Sequence, residues 1–185
     1  MTSKYPQSEA KVSNMLSIDR LDGELIALLE QDARQGIGDL ADKLGVSRNT
    51  AQSRLRRLTE AGLLRGFTPR LDLVEVGITV EAFAALALDQ GKLDDVIELL
   101  AAIPEVMEIH ATSGREDLLV RIGAVSHAEL QELIQMIVAL PGVGHSNTTL
   151  ALTTPLAYRV GPLITKATKG AGWGRSTALP EQYRG

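Results

Sequence analysis

Residues 40–58 read LADKLGVSRNTAQSRLRRL, a short amphipathic segment followed by a glycine and a longer polar segment. Gly45 can adopt the positive φ that ends one helix, and the Ser47 hydroxyl can accept an amide proton at the start of the next. At about 100° per residue, the second helix then has one narrow apolar face that can pack against a core. That face consists of Ala51, Leu55, Leu58 and Gly62. The stretch therefore predicts a helix-turn-helix.

The opposite face of this second helix carries the residue types that read DNA. Asn and Gln can pair with adenine, Arg with guanine and Ser with either, and arginines further along the helix suit phosphates. Between residues 46 and 70 there are six arginines against one glutamate, in a chain of net charge -4. This local positive charge favours a DNA-binding surface over an ordinary amphipathic helix. The predicted DNA-binding residues are Ser47, Arg48, Asn49, Thr50, Gln52, Ser53, Arg56 and Arg57.

Composition bounds the class of protein. A chain of 185 residues with 44% hydrophobic content is long enough for one globular domain or two small ones. No apolar run approaches the length of a membrane span, and the polar start has no signal-peptide segment, so a cytoplasmic protein without membrane contact is predicted. The absence of cysteine excludes disulfides, thiolate catalysis and cysteine-ligated zinc. The three histidines have no metal-ligand spacing, so neither a metal nor a cofactor is predicted.

The start of the chain predicts an arm and a supporting helix. Residues 1–16 are polar and predict a flexible arm. From Ser17 onward leucines recur at three- and four-residue steps, which predicts a helix capped by Ser17 or Asp19. This helix packs with the helix-turn-helix into an expected core of Leu21, Leu25, Leu28, Leu40, Leu44, Val46, Leu55 and Leu58.

A wing and a linker are predicted next. Residues 63–71 resemble two short extended pieces about Gly66, the small hairpin of a winged helix, with Pro69 suited to an edge. The winged helix-turn-helix domain is therefore placed at residues 17–71, and residues 72–79 form an interdomain linker.

The second half, residues 80–153, alternates strand and helix patterns. Strands are predicted at 80–88, 106–112, 117–123 and 145–153. One helix is predicted at 92–103, and a second begins at the capping box formed by Ser126 and Glu129. This order is a βαββαβ, ferredoxin-like domain, which makes the whole chain α+β. Since both helices cover one sheet face, the other face is expected to be buried by a second copy.

The last segment, residues 154–185, is basic. It contains Lys166, Lys169 and Arg175 against Glu181 alone after Ile164, with several glycines and prolines and few apolar residues. This composition predicts a mobile, solvated C-terminal extension that could also touch DNA or a neighbouring subunit.

From Ser17 to Thr153 the sequence resembles the Lrp/AsnC, or feast/famine, family of prokaryotic transcriptional regulators. The residues that carry the resemblance are Leu21-Asp22, Leu25-Ile26, Leu40-Ala41, Leu44-Gly45-Val46-Ser47, Arg54-Leu55-Arg56-Arg57-Leu58, Gly62, Gly66-Phe67-Thr68, Gly114-Arg115-Glu116-Asp117-Leu118-Leu119, Pro141-Gly142-Val143 and Thr148. The resemblance implies a winged helix-turn-helix that binds double-stranded DNA, joined to a ligand-sensing oligomerisation domain. It also implies dimers that assemble to octamers, and an amino acid or related small molecule as effector.

The resemblance places the effector at the turn formed by residues 113–117, between neighbouring dimers. Exposed amides of a glycine turn can hold a carboxylate, and the Asp117 carboxylate can accept hydrogen bonds from an α-ammonium group. Alternatively, Gly114 merely permits the turn and Asp117 caps it. The predicted effector-binding residues are Ser113, Gly114, Arg115 and Asp117, with Thr148 on the last strand.

The predicted function is a sequence-specific DNA-binding transcriptional regulator that responds to an amino acid. The alternative is an architectural, nucleoid-type protein that wraps DNA without a small-molecule effector. A protein-interaction winged helix with no DNA role is a further alternative and would protect no DNA site. An enzyme is not predicted, because the polar residues form no recognisable set of nucleophile, base and orienting group.

Overall fold

The computed structural model describes residues 16–174, which form two compact units. Residues 16–69 and 157–174 make up one of them, here called the HTH unit. Residues 70–156 make up the other, here called the sheet unit. The predicted arm lies outside the described residues except for Leu16, and so do Arg175 and Glu181 of the extension. Within the described part of the chain, no helix is both long and apolar enough to span a bilayer.

Three helices of the HTH unit begin or end where local sequence signals place them. They are α1 (Arg20–Gln31), α2 (Ile37–Leu44) and α3 (Arg48–Glu60). Gly45 ends α2 in the left-handed conformation, with φ 65° and ψ 35°. The Ser47 hydroxyl accepts the Thr50 N–H at 3.1 Å and caps α3. The predicted helix-turn-helix is confirmed.

The predicted leucine core of the HTH unit is confirmed as well. Leu21, Leu25, Leu40, Leu44 and Leu58 are fully buried. The remaining members pack against them and are partly buried, namely Leu28, Val46 and Leu55. The structure adds two buried side chains to the predicted core: Leu29, which belonged to the leucine repeat of the first helix, and Trp173, which no sequence pattern indicated.

The predicted wing hairpin is wrong. No strand forms between residues 63 and 71. An isolated two-stranded hairpin is marginally stable in water, and Pro69 removes one of its N–H donors. Leu64 packs against the leucine core, but residues 65–71 are exposed, with Phe67 54% exposed and Leu71 74% exposed, so most of the segment gains little burial. The linker that follows contains a short 3₁₀ turn, Val74–Val76.

The prediction of a mobile C-terminal extension is wrong for residues 161–174. Gly161–Thr168 is a helix, α6, that packs on α1. Trp173 is 6% exposed and belongs to the leucine core of the HTH unit. Average composition concealed this docking, because one tryptophan buries about 150–250 Å² by itself.

The sheet unit has the predicted βαββαβ order. Its elements are β1 (Val80–Leu88), α4 (Leu93–Ala101), β2 (Val106–Ala111), β3 (Leu118–Ala124), α5 (His127–Val138) and β4 (Val143–Leu150). The strands form one antiparallel sheet in the order β2-β3-β1-β4. Ser126 caps α5 as predicted by accepting the Glu129 N–H at 3.2 Å, whereas the Glu129 carboxylate reaches the Val125 N–H at 2.9 Å.

One face of the sheet is buried under both helices. Alternate residues of β1 and β3 pack with apolar side chains of α4 and α5 into a single core. On the opposite face, Phe83, Ala85 and Leu119 are half-buried, and Glu81 and Arg121 form a two-point ion pair with both distances 2.9 Å. That face is the one available to a partner.

Candidate nucleic-acid interface and ligand turn

The face of α3 that points away from the leucine core is exposed. Ala51 and Leu58 are buried against that core. The side chains left open to solvent include most of the predicted reading residues: Arg48, Asn49, Gln52, Ser53 and Arg56. Donors and acceptors of these types suit base edges in the major groove.

Two predicted DNA-binding residues form the cap of α3. The Ser47 and Thr50 hydroxyls lie 2.8 Å apart, and Ser47 also accepts the Thr50 N–H. Such a cap contributes about 1 kcal/mol to helix stability. Ser47 and Thr50 therefore fix the end of α3 from which Asn49 projects.

An arginine–aspartate cluster, made of Asp19, Asp22, Arg54 and Arg57, joins α3 to the start of α1. The Arg54 Nη1 donates to Asp19 Oδ2 at 2.5 Å and to Asp22 Oδ1 at 3.1 Å. The Arg57 Nη2 donates to Asp22 Oδ2, and its Nη1 donates to the Ser17 carbonyl oxygen at 3.2 Å. The sequence placed Arg57 on the free face of α3, but its guanidinium group is bonded to Asp22 and to the Ser17 carbonyl while the side chain stays partly exposed.

Asp22 is fully buried yet ionised in this cluster. Burial raises the pKa of its carboxyl group, but hydrogen bonds from Arg57 and from the Asp19 N–H, with the charge of Arg54, outweigh burial and bring the pKa below its ordinary value. Burial lowers the pKa of Arg54, and its bonds to both aspartates more than reverse this. The cluster thus ties α3 to α1 through charged hydrogen bonds, which are stronger than neutral ones.

Sequence reasoning missed the internal roles of this cluster. Its signal was present as two matching spacings, since the α1 cap residue Asp19 and Asp22 lie three residues apart and Arg54 and Arg57 lie three apart on α3. Side chains at that spacing share a helix face. Two acidic groups on one helix can therefore face two basic groups on another.

An open groove runs beside the first half of α3. Its volume is about 950 Å³. Asn49, Thr50 and Ser53 of α3 contribute to its lining, together with Arg54 and Arg57. Residues 17–19 and the C-terminal segment at Ala171, Gly172 and Gly174 also line it. The C-terminal segment therefore lies next to the predicted reading residues.

The predicted ligand turn in the sheet unit is held by Asp117. Its carboxylate Oδ2 accepts the Leu88 N–H at 2.7 Å, and its own N–H donates to the Leu86 carbonyl at 2.8 Å. The capping interpretation of Asp117 therefore has a direct structural basis. Since a carboxylate has two oxygens, this bond leaves acceptor capacity for a ligand. Ser113, Gly114 and Arg115 of the same turn are exposed.

Thr148 is not brought to this turn within one subunit. It pairs with Ala84 on β1, whereas Leu118, which follows the turn, pairs with Leu86. Two strand spacings and two residue steps then separate Thr148 from the turn by roughly 12 Å. On β4, the Ser146 hydroxyl lies 3.4 Å from that of Thr148.

Metal ligation has no candidate site in the part of the chain that the structure describes. Across residues 16–174, no three His, Asp or Glu side chains converge in a way that could hold an ion. His110 instead lies 3.0 Å from Glu108 on the same strand.

Family models of known proteins match the sequences of both units. Residues 18–59 match the AsnC-type helix-turn-helix domain, and residues 81–160 match the Lrp/AsnC ligand binding domain. An HTH-type transcriptional regulator of Pyrococcus furiosus is 30% identical over 141 residues, covering 74% of this chain and 94% of that protein.

Solved structures give the same result. The structure of AsnC from E. coli superposes with a TM-score of 0.74 at 25% identity, covering 80% of this chain and 100% of that one. The feast or famine regulatory protein of Mycobacterium tuberculosis, complexed with L-methionine, superposes with a TM-score of 0.71 at 30% identity, covering 77% and 97%. This chain therefore belongs to the Lrp/AsnC family of transcriptional regulators.

Proposed function

We propose that this protein binds specific sequences in double-stranded DNA through the exposed face of α3. The observation that carries the proposal is that α3 is held at two points while that face stays exposed. The Ser47 cap fixes the start of α3, and the arginine–aspartate cluster ties its middle to α1. Asn49 and Ser53 remain exposed between these two points. Preorganised polar groups of this kind lose little conformational entropy when they bind.

Replacing Asn49 or Ser53 by alanine is expected to relax base preference at individual operator positions. Each lost base contact should weaken binding by about 1–3 kcal/mol when the preferred base is present at that position. Binding to sites with any other base at that position should weaken far less. Quantitative footprinting on the protein's own upstream region and on single-base variants of the protected site measures this change.

Gln135→Ala, which truncates an exposed amide on α5 in the sheet unit, is the matched control and should leave the base preference unchanged. Equal affinity of the parent for all DNA sequences would contradict the proposal and favour architectural wrapping instead. Parent-like preference in both α3 variants would show that another surface reads the bases.

We infer further that an amino acid binds at the turn formed by residues 113–117 and changes DNA affinity or assembly. A related regulator has been solved with L-methionine. In this chain, the exposed turn offers Gly114 for close backbone approach and a spare carboxylate oxygen on Asp117 for an ammonium group.

The open sheet face with Phe83 and Leu119 is proposed to pair two copies, which assemble further. The protein then acts by binding and not by catalysis.

Two substitutions of Asp117 separate ligand binding from turn capping. Asp117→Asn retains an oxygen acceptor for the Leu88 N–H but removes the charge, whereas Asp117→Ala removes both. If Asp117 holds the ammonium group, both variants should lose about 1.5–3 kcal/mol of effector affinity, roughly tenfold or more. Calorimetry with L-methionine and other amino acids measures the affinity, and sedimentation with and without ligand reports assembly.

Glu116→Gln on the same turn serves as the control for charge. Parent-like affinity in Asp117→Asn together with loss in Asp117→Ala would make Asp117 a turn cap alone. If no amino acid gives a binding signal in calorimetry, the effector proposal is refuted. If the protein sediments as a monomer at all concentrations, the assembly proposal is refuted.

A further inference from the structure

The docked C-terminal segment, residues 161–174, is attached to α1 along its length. The Glu30 carboxylate accepts the N–H groups of Val160 and Gly161, each at 2.8 Å. At the other end, the Arg20 N–H donates to the Gly172 carbonyl at 3.1 Å. Because Glu30 is near the end of α1 and Arg20 is at its start, the segment runs antiparallel to α1 towards the beginning of that helix.

Close packing supports this arrangement between the two ends. Thr168 is 2% exposed, and a Cβ placed on Gly23 of α1 would lie 2.3 Å from its Oγ1. Trp173 fills part of the leucine core. The segment is therefore a fixed part of the HTH unit, and its last residues line the groove beside Asn49 and Ser53.

The segment also changes the charge of the HTH unit. Residues 16–69 contain eight arginines and lysines and eight aspartates and glutamates, so their formal charge is zero. Residues 157–174 add three cations, Arg159, Lys166 and Lys169, and no acid. A protein surface that binds the DNA backbone needs such an excess of positive charge.

The three cations of residues 157–174 share one cleft. Arg159, Lys166 and Lys169 line a cleft of about 600 Å³ with Glu30 and other residues of α1. All three are exposed, and none takes part in the ion pairs found between residues 16 and 174. Both oxygens of Glu30 are bound to backbone N–H groups, so that carboxylate already has its partners.

We propose that this basic cleft binds phosphates of the DNA duplex that α3 reads, so that the C-terminal segment is a second DNA-contacting element. The inference rests on the proposed function. Lys166 and Lys169 supply the phosphate contacts, and Arg159 extends the cleft. Such contacts add affinity to every DNA sequence alike, because phosphates carry no base identity.

The salt dependence of DNA binding tests this element. Affinities of the parent and of the double variant Lys166→Gln/Lys169→Gln are measured over a series of salt concentrations. Two duplexes are used: the site that the parent protects and a random duplex of the same length. Each lost phosphate contact should reduce the slope of log K against log salt by about 0.9 in magnitude. The double variant should therefore lose about 1–2 units of slope on both duplexes and weaken on both by the same factor.

Lys92→Gln is the matched control, since it removes one exposed lysine charge from the sheet unit. Unchanged fluorescence of Trp173, the single tryptophan of the chain, shows that the segment stays docked in the double variant. A parent-like slope in the double variant, or a loss on the specific site alone, would overturn the proposal. If α3 does not read specific sequences, the parent itself will bind both duplexes with equal affinity. The salt slopes of parent and double variant still report the number of phosphate contacts, so this outcome is distinguishable from failure of the second DNA-contacting element.

Discussion

Asp22→Ala is expected to lower the free energy of unfolding of the HTH unit by about 2–4 kcal/mol. Removing one partner from a fully buried ion pair costs about 3–5 kcal/mol, because the other charge is left without compensation. Here the cost is discounted, since the Arg57 side chain is 40% exposed and can regain water. The Arg54 side chain is 20% exposed and regains less. Denaturation in urea followed by Trp173 fluorescence measures the loss within the HTH unit.

The same carboxylate makes the stability of the HTH unit depend on acid. The pKa of Asp22 is lowered in the folded unit, so the unfolded chain binds this proton more readily. Its stabilisation is therefore fully present above the unfolded pKa of about 3.9 and is lost as the pH falls through the folded value. Asp22→Asn should remove this component, so acidification below about pH 4 destabilises the variant less steeply than the parent.

Asp42→Ala is the control for both measurements, because Asp42 is an exposed carboxylate on α2. Its effect should stay within about 0.5 kcal/mol. Parent-like stability and acid response in both Asp22 variants would show that the arginine–aspartate cluster does not hold α3 to α1.

Trp173→Ala is expected to cost about 3–5 kcal/mol, the range found when a buried aromatic side chain is truncated. Trp173 belongs to the leucine core that includes Leu21, Leu25 and Leu29 of α1, and Arg20 lies 5.9 Å from its ring centroid. An eight-residue helix such as α6 is not stable alone in water, so it depends on this docking. Hydrogen exchange should show that the amides of α6 lose protection first and those of α1 next.

Leu163→Ala is the matched control, since Leu163 lies on α6 but is 67% exposed. Its exchange pattern should resemble that of the parent. Persistent protection of α6 in Trp173→Ala would mean that the Glu30 carboxylate and the contact between Thr168 and Gly23 are sufficient to dock the segment.

Most elements of both units followed from signals that lie close together in the sequence. Gly45 ended α2 and Ser47 capped α3 as predicted, because helix ends depend on a few neighbouring residues. The strands of the sheet unit followed from residue patterns in the same way, with both ends of β1 as predicted and the other ends shifted by at most three residues. The docking of the extension depends on a core built from distant residues, whereas the wing failed locally, since no strand pairing formed within residues 63–71.

The sequence by itself determined the helix-turn-helix, the ferredoxin-like order and the residue types on the exposed face of α3. Tertiary structure decided which of those residues remain available. Arg54 and Arg57 meet aspartates that lie 32 to 35 residues away, and Trp173 fills a core built from the other end of the chain. Local periodicity records which side of a helix is apolar, but it contains no information about which faces meet. Ion pairs and docking sites form between faces of different elements. Their partners are therefore determined only when the whole unit packs.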